Sequence, residues 1–122
     1  MTDLERIGGE AALAPVIRGF VERMFGDFII GFRFVNSDLE RIVRFETQHA
    51  ARVLGGRVRY EGRPIAEVHA PLKINRGQFR RRLAILRTVA REHGVDDEVL
   101  DRWIHREALL EPVVTDGTDC LA

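Results

Sequence analysis

What this 122-residue chain lacks narrows its class quickly. It holds one cysteine, Cys120, so no internal disulfide can staple it, and no Cys/His cluster with zinc spacing exists. Neither charge is in excess, with 19 Lys and Arg against 19 Asp and Glu, which removes the electrostatic footprint of a general nucleic-acid or anionic-membrane binder. No apolar run approaches the roughly 20 residues that span a bilayer. The opening MTDLERIGGE carries charge where a signal peptide carries its apolar stretch, so the cytoplasm is the expected location. The motifs G-x-x-x-x-G-K-[ST], G-x-G-x-x-G and G-x-S-x-G are missing, and nucleotide or hydrolase sites have no support. Expected partners are therefore small molecules or proteins, with no nucleic acid and no membrane.

What is present reads as helix. A chain with 45% hydrophobic and 31% charged residues supports one core, and a single domain is expected over residues 1–122, with the core in 1–114 and a flexible tail in 115–122. Thr2-Asp3-Leu4-Glu5 has capping-box spacing, and Gly8-Gly9 ends that first turn. From Glu10 to about Asp27, Leu13, Val16, Ile17, Phe20, Met24 and Phe25 recur at three- and four-residue steps, the mark of one buried helical face. The stretch FIIGFRFV has strand composition but no partner strand, and is expected as a tight helical corner with its aromatics turned inward. Ser37 to Glu40 forms a second box, opening a helix to Leu54 that Gly55-Gly56 terminates. Pro64 starts a short helix, Asn75 and Gln78 start another that runs to His93-Gly94, and a last one spans about Asp96 to Glu111 with Pro112 as its stop.

Two ionisable residues interrupt the apolar pattern. On the Ser37–Leu54 helix, Leu39, Ile42 and Val53 define one stripe, and Glu46 and His49 fall in the middle of it. A buried carboxylate has to be paired, protonated or turned to a polar cavity. On the helix after Asn75, Arg82 sits at the edge of the arc of Phe79, Leu83 and Leu86, a suitable partner for Glu46. Two readings stand: an ordinary internal hydrogen-bond network with Arg82 snorkelling to water, or a charged lining to a ligand pocket. His69, in RPIAEVHAPLKI, is likewise either hydrogen-bonded to a carbonyl or a metal ligand. The run Arg80-Arg81-Arg82 is too short to argue for nucleic acid, and His93 and His105 look like helix-end or surface residues.

Taken together, LERIGGEAAL, the aromatic corner FRFVNSDLERI, ARVLGG and YEGRPIAEVHAPLKIN resemble the truncated hemoglobins, most closely their first group, from Leu4 to about Val114. The resemblance rests on Gly8-Gly9, Gly55-Gly56, Tyr60-Glu61-Gly62 and His69, which stand in the family's order and spacing. It implies an all-α, two-over-two helical sandwich holding heme b, with His69 as the axial iron ligand. It further implies heme contacts from Phe20, Phe34, Ile42 and Phe79, with Lys73 as a candidate propionate partner. The side of the heme opposite His69 departs from the family. Val21 stands where a tyrosine usually donates to bound dioxygen, Glu46 where glutamine is frequent, His49 where an aromatic is common, and Arg82 where an apolar residue faces the heme.

That departure argues against tight dioxygen storage, since bound dioxygen carries partial negative charge and needs a donor that Val21 cannot supply. Glu46 or His49 as base and Arg82 as cation instead suit an oxidant such as peroxide. The expected partners are thus a small gaseous ligand or peroxide and an electron-donating reductase. Two alternatives stay open: His49 coordinating iron opposite His69, and a globin-fold interaction module that has lost heme, its vacated space filled by a Glu46–Arg82 ion pair. Cys120 is a candidate reactive thiol or attachment point, or incidental.

Overall fold

The computed structural model describes residues 1–118, so Cys120 lies outside the described residues. Seven α-helices follow one another: α1 Asp3–Ile7, α2 Glu10–Phe25, α3 Leu39–Val53, α4 Ile65–His69, α5 Arg76–Glu92, α6 Asp97–Ala108 and α7 Glu111–Val114. Short 3-10 turns occupy Gly31–Phe34 and Ala70–Leu72. Helix α2 packs on both α3 and α5, and α5 packs on α6, so that the pair α2/α3 lies against the pair α5/α6. Among the described residues no helix is long and apolar enough to cross a membrane.

The helix boundaries follow the capping chemistry, with two shifts. Thr2 with Glu5 and Asn75 with Gln78 both close capping boxes. Helix α3 is capped by Asp38 rather than Ser37: its carboxylate accepts from the Glu40 and Arg41 amides, and a carboxylate also complements the positive end of the helix. At the other end of the chain, Pro112 does not stop α6. That helix ends at Ala108, the backbone turns at Leu109-Leu110, and Pro112 sits in the first turn of α7, where its missing N–H costs nothing.

The core runs through Leu13, Ile17, Phe20, Val21, Leu86, Val89, Leu100 and Trp103, all essentially inaccessible to solvent. Helix α1 is tied across it: the Leu4 amide donates to the Leu54 carbonyl at 2.9 Å, and Arg102 clasps Asp3 at 2.8 Å. This approach explains Gly56, where a Cβ would come within 2.5 Å of the Leu4 side chain and 2.9 Å of the Ala51 carbonyl. Residues 115–118, expected as loose tail, are instead held. Thr115 bridges Ile74 in parallel, the Asp116 amide donates to the Ile74 carbonyl at 2.8 Å, and the Arg76 amide donates to Thr118 at 2.9 Å.

Candidate functional site: a heme-sized cavity with a charged wall

Between the helix pairs lies a cavity of about 460 Å3, within the range of small-molecule and cofactor sites. Its lining is mostly apolar, with Phe34, Ile42, Ile65, Val68, Leu72 and Phe79 among the contributors. The aromatic corner supplies part of it, though not as expected. Phe34 turns inward and stacks on Phe25 with ring centres 4.9 Å apart, and Phe32 reaches the cavity edge while 61% exposed, whereas Phe28 is fully exposed and off the wall. Phe28 lies before the 3-10 turn of Gly31–Phe34, in the turn where the Asp27 carboxylate accepts from the Ile29 and Ile30 amides.

On one side of the cavity, His69 closes α4. Its Nδ1 lies 2.7 Å from the Ile65 carbonyl, which can only accept, so Nδ1 carries the proton and Nε2 keeps its lone pair. The backbone hydrogen bond is therefore present, and it is the kind of contact that orients a ligating histidine while leaving its other nitrogen open. No group of three or more His, Cys, Asp or Glu side chains that could hold a metal ion occurs among the described residues. An iron held by His69 would therefore have to bring its other ligands with it, as heme would. The residues present fit that group.

Arg33 secures the same wall. Its guanidinium donates to the Leu72 carbonyl at 2.8 Å, to the Lys73 carbonyl at 3.4 Å and to Gln78 Oε1 at 2.8 Å, bracing the turn that follows His69. Lys73 needs bracing, since it is the one non-glycine residue with positive φ, at 50°, among the described residues. The Lys73 side chain is exposed and does not line the cavity, and the site uses its carbonyl instead.

The opposite side carries the charged residues. Arg82 on α5 donates from Nη2 to Glu46 Oε2 on α3 at 2.7 Å and from Nη1 to Glu107 Oε2 on α6 at 3.3 Å. His49 Nε2 lies 3.3 Å from Glu107 as well. Burial alone would raise the Glu107 carboxyl, but Arg82 and His49 outweigh it and hold it at about 2. Burial likewise pushes the His49 imidazole down, and the Glu107 and Glu46 carboxylates more than reverse this, leaving it raised. The expected partnership of Glu46 with Arg82 is present, and Glu46, His49 and Arg82 all line the cavity. Arg80 and Arg81 turn elsewhere, to Glu111 and Asp27.

Phe20 and Val21 are not on the cavity wall, contrary to the expected heme contacts. The Arg82 guanidinium lies over the Phe20 ring at 5.1 Å, so Arg82 forms the wall there, and Val21 is wholly buried in the helix core. Glu107 and Arg33 were not anticipated. The signal for Glu107 was available: it continues the stripe of Leu100 and Trp103 on α6, where an apolar residue belongs. Arg33 had none, because its partners lie 39 to 45 positions away.

A two-over-two helical sandwich with one oriented histidine lining an apolar, cofactor-sized cavity defines a globin. The sequence profile of the bacterial-like globins matches residues 2–115, and the chain belongs to that family. It is similar to group 1 truncated hemoglobins: 25% identical over 99 residues to that of Tetrahymena thermophila, covering 81% of this chain and 82% of the relative. The corresponding protein of Mycolicibacterium paratuberculosis is 27% identical over 93% of this chain and 83% of its own length. The fold matches that of the Tetrahymena pyriformis truncated hemoglobin in its Fe(III) form with a TM-score of 0.90, covering 97% of this chain and 100% of that one at 23% identity. The chain is thus an all-α truncated-hemoglobin fold of a heme-binding family.

Proposed function

We propose that this chain binds heme b through His69 and handles a small oxidant, hydrogen peroxide in particular, at the face lined by Glu46 and Arg82. The observation that carries the reading is the Glu46–Arg82 pair at 2.7 Å on the cavity wall, together with a His69 whose Nε2 is free to ligate. When bound, the heme supplies the iron that a small ligand coordinates and the two electrons that break a peroxide O–O bond, which an external reductant then replaces.

The chain's own residues supply the rest. Arg82 holds Glu46 Oε2 along the wall, leaving Glu46 Oε1 to take a proton from one peroxide oxygen and return it to the other. Sharing between two carboxylates mutes the charge of Arg82, so its part is to position Glu46 more than to stabilise a leaving anion. His49 is engaged through Nε2 with Glu107, which disfavours the alternative in which it coordinates iron. The ion network also leaves the 460 Å3 cavity open, which favours the heme reading over an interaction module with a filled pocket.

Hemin titration of the chain and of His69→Ala tests the first part: a Soret shift with saturation at one equivalent is expected, and its loss in the variant. Peroxide turnover tests the second. Glu46→Gln is expected to slow it by at least about a hundredfold, the usual scale of a positioned base, and an unchanged rate removes Glu46 from the reaction.

A further inference from the structure

We propose that the charged wall selects by charge and by hydrogen-bond direction: it admits neutral ligands that donate a hydrogen bond and turns anions away. The proposal rests on the heme reading above and adds the class of ligand.

Both nitrogen-bearing side chains of this wall are already turned to carboxylates. Arg82 directs Nη2 to Glu46 and Nη1 to Glu107, and His49 directs Nε2 to Glu107. From the other sides of the cavity, the Arg33 guanidinium is held by the Leu72 and Lys73 carbonyls and by Gln78. What remains is an acceptor. Glu46 Oε2 receives Arg82, while Oε1 has no hydrogen-bond partner among the described residues, and Glu46 lines the cavity.

Charge points the same way. Glu46 and Glu107 contribute two negative charges and Arg82 one positive charge, so the wall is net negative when His49 is neutral and balanced when His49 is protonated. In neither state is it positive. An anion entering against this wall leaves its hydration shell and faces a carboxylate in a medium where that repulsion is poorly screened. Dioxygen, carbon monoxide and nitric oxide have no hydrogen to donate and gain nothing from Oε1. A neutral molecule with an O–H or N–H beyond its coordinating atom, such as hydrogen peroxide or an N–H azole, meets the acceptor directly.

The test uses ferric holoprotein at neutral pH with three probes: azide as the anion, imidazole as a neutral ligand with an N–H, and 1-methylimidazole as its counterpart without one. Wild-type protein should prefer imidazole to 1-methylimidazole by about tenfold, the worth of one hydrogen bond to a charged acceptor. Glu46→Gln keeps the shape and removes the charge, and should tighten azide binding by about tenfold or more. Glu46→Leu removes the acceptor and should collapse the imidazole preference to whatever the methyl group's size alone imposes. Soret spectra and circular dichroism of both variants establish that each is folded and loaded. Azide binding unchanged by Glu46→Gln, or an imidazole preference that survives Glu46→Leu, overturns the proposal while leaving the heme reading intact. Failure of the wild-type chain to take up hemin overturns both.

Discussion

The two walls of the cavity are built over different distances. His69 is oriented by a carbonyl four residues back in its own helix, while the opposing wall joins α3, α5 and α6 through contacts spanning 25 to 58 positions. The first arrangement is local and cheap to specify, since a histidine ending a helical turn that opens at Pro64 is placed by backbone geometry. The second has to be assembled by the whole fold and carries a desolvation cost that only mutual pairing offsets. The orientation of His69 itself therefore depends little on the rest of the core, whereas the charged wall exists only once three helices have packed.

The largest effect that would break this contrast is on stability. Glu107 is 1% exposed and contacts both Arg82 and His49, so Glu107→Ala should cost about 3–5 kcal/mol, the scale of opening a buried ion network. His69→Ala, although expected to abolish hemin uptake, should cost the apoprotein far less, because it deletes one partly buried ring with a single backbone partner. Urea unfolding of the two apoproteins checks the order. Equal losses would mean that the walls are not built differently after all.

Next in size is Arg33, the long-range element of the histidine wall. Arg33→Leu should destabilise by about 2 kcal/mol through loss of charge-assisted bonds, and should speed hemin loss by about tenfold, as removal of outer-shell support does. Arg33→Lys should recover only part of this, because an ammonium cannot reproduce the fork that engages Leu72, Lys73 and Gln78 together. Transfer of hemin to an acceptor globin measures both.

These contrasts also account for what was readable in the sequence. Helix positions followed from caps and periodicity because both are local, and the errors were local too: Asp38 took the cap from Ser37, and Pro112 opened a helix instead of closing one. The stripe on α3 exposed Glu46 and His49 for the same reason. Val21 was assigned to the cavity by correspondence with the family's tyrosine, yet the guanidinium of Arg82 over Phe20 changes what lines the wall at that point. What lines the cavity beside α2 is thus set by a side chain of α5, which no reading of α2 alone reveals. Glu107 was legible as a charge on an apolar stripe, and Arg33 was not legible at all.

A smaller test uses pH. The folded Glu107 carboxyl is lowered from 4.5 to about 2, so its contribution is fully present above about pH 4.5 and is lost as pH falls toward 2. The His49 imidazole is raised from 6.5, so its contribution is present below pH 6.5 and is lost as pH rises through the folded value. The charged wall should therefore be firmest in the mildly acidic range between these limits. Denaturant midpoints of wild-type apoprotein should fall on both sides of it, and His49→Gln should flatten the alkaline fall and shrink, without abolishing, the acidic one that Arg82 also sustains.

Lys73 offers the smallest effect and bears on the histidine wall alone. Its φ of 50° and ψ of 50° place it in the left-handed region, which a lysine occupies at a cost of about 1 kcal/mol. Lys73→Gly removes that cost, and because glycine also gains freedom in the unfolded chain, the net stabilisation should be a fraction of about 1 kcal/mol. Its carbonyl remains for Arg33, so the brace on the turn after His69 survives. Since the ammonium lies off the cavity wall, hemin affinity should stay the same within about twofold, well under the 1.4 kcal/mol that a tenfold change represents. A larger loss of hemin affinity would show that the exposed lysine reaches a propionate at the cavity mouth, and that the histidine wall too depends on a charged side chain.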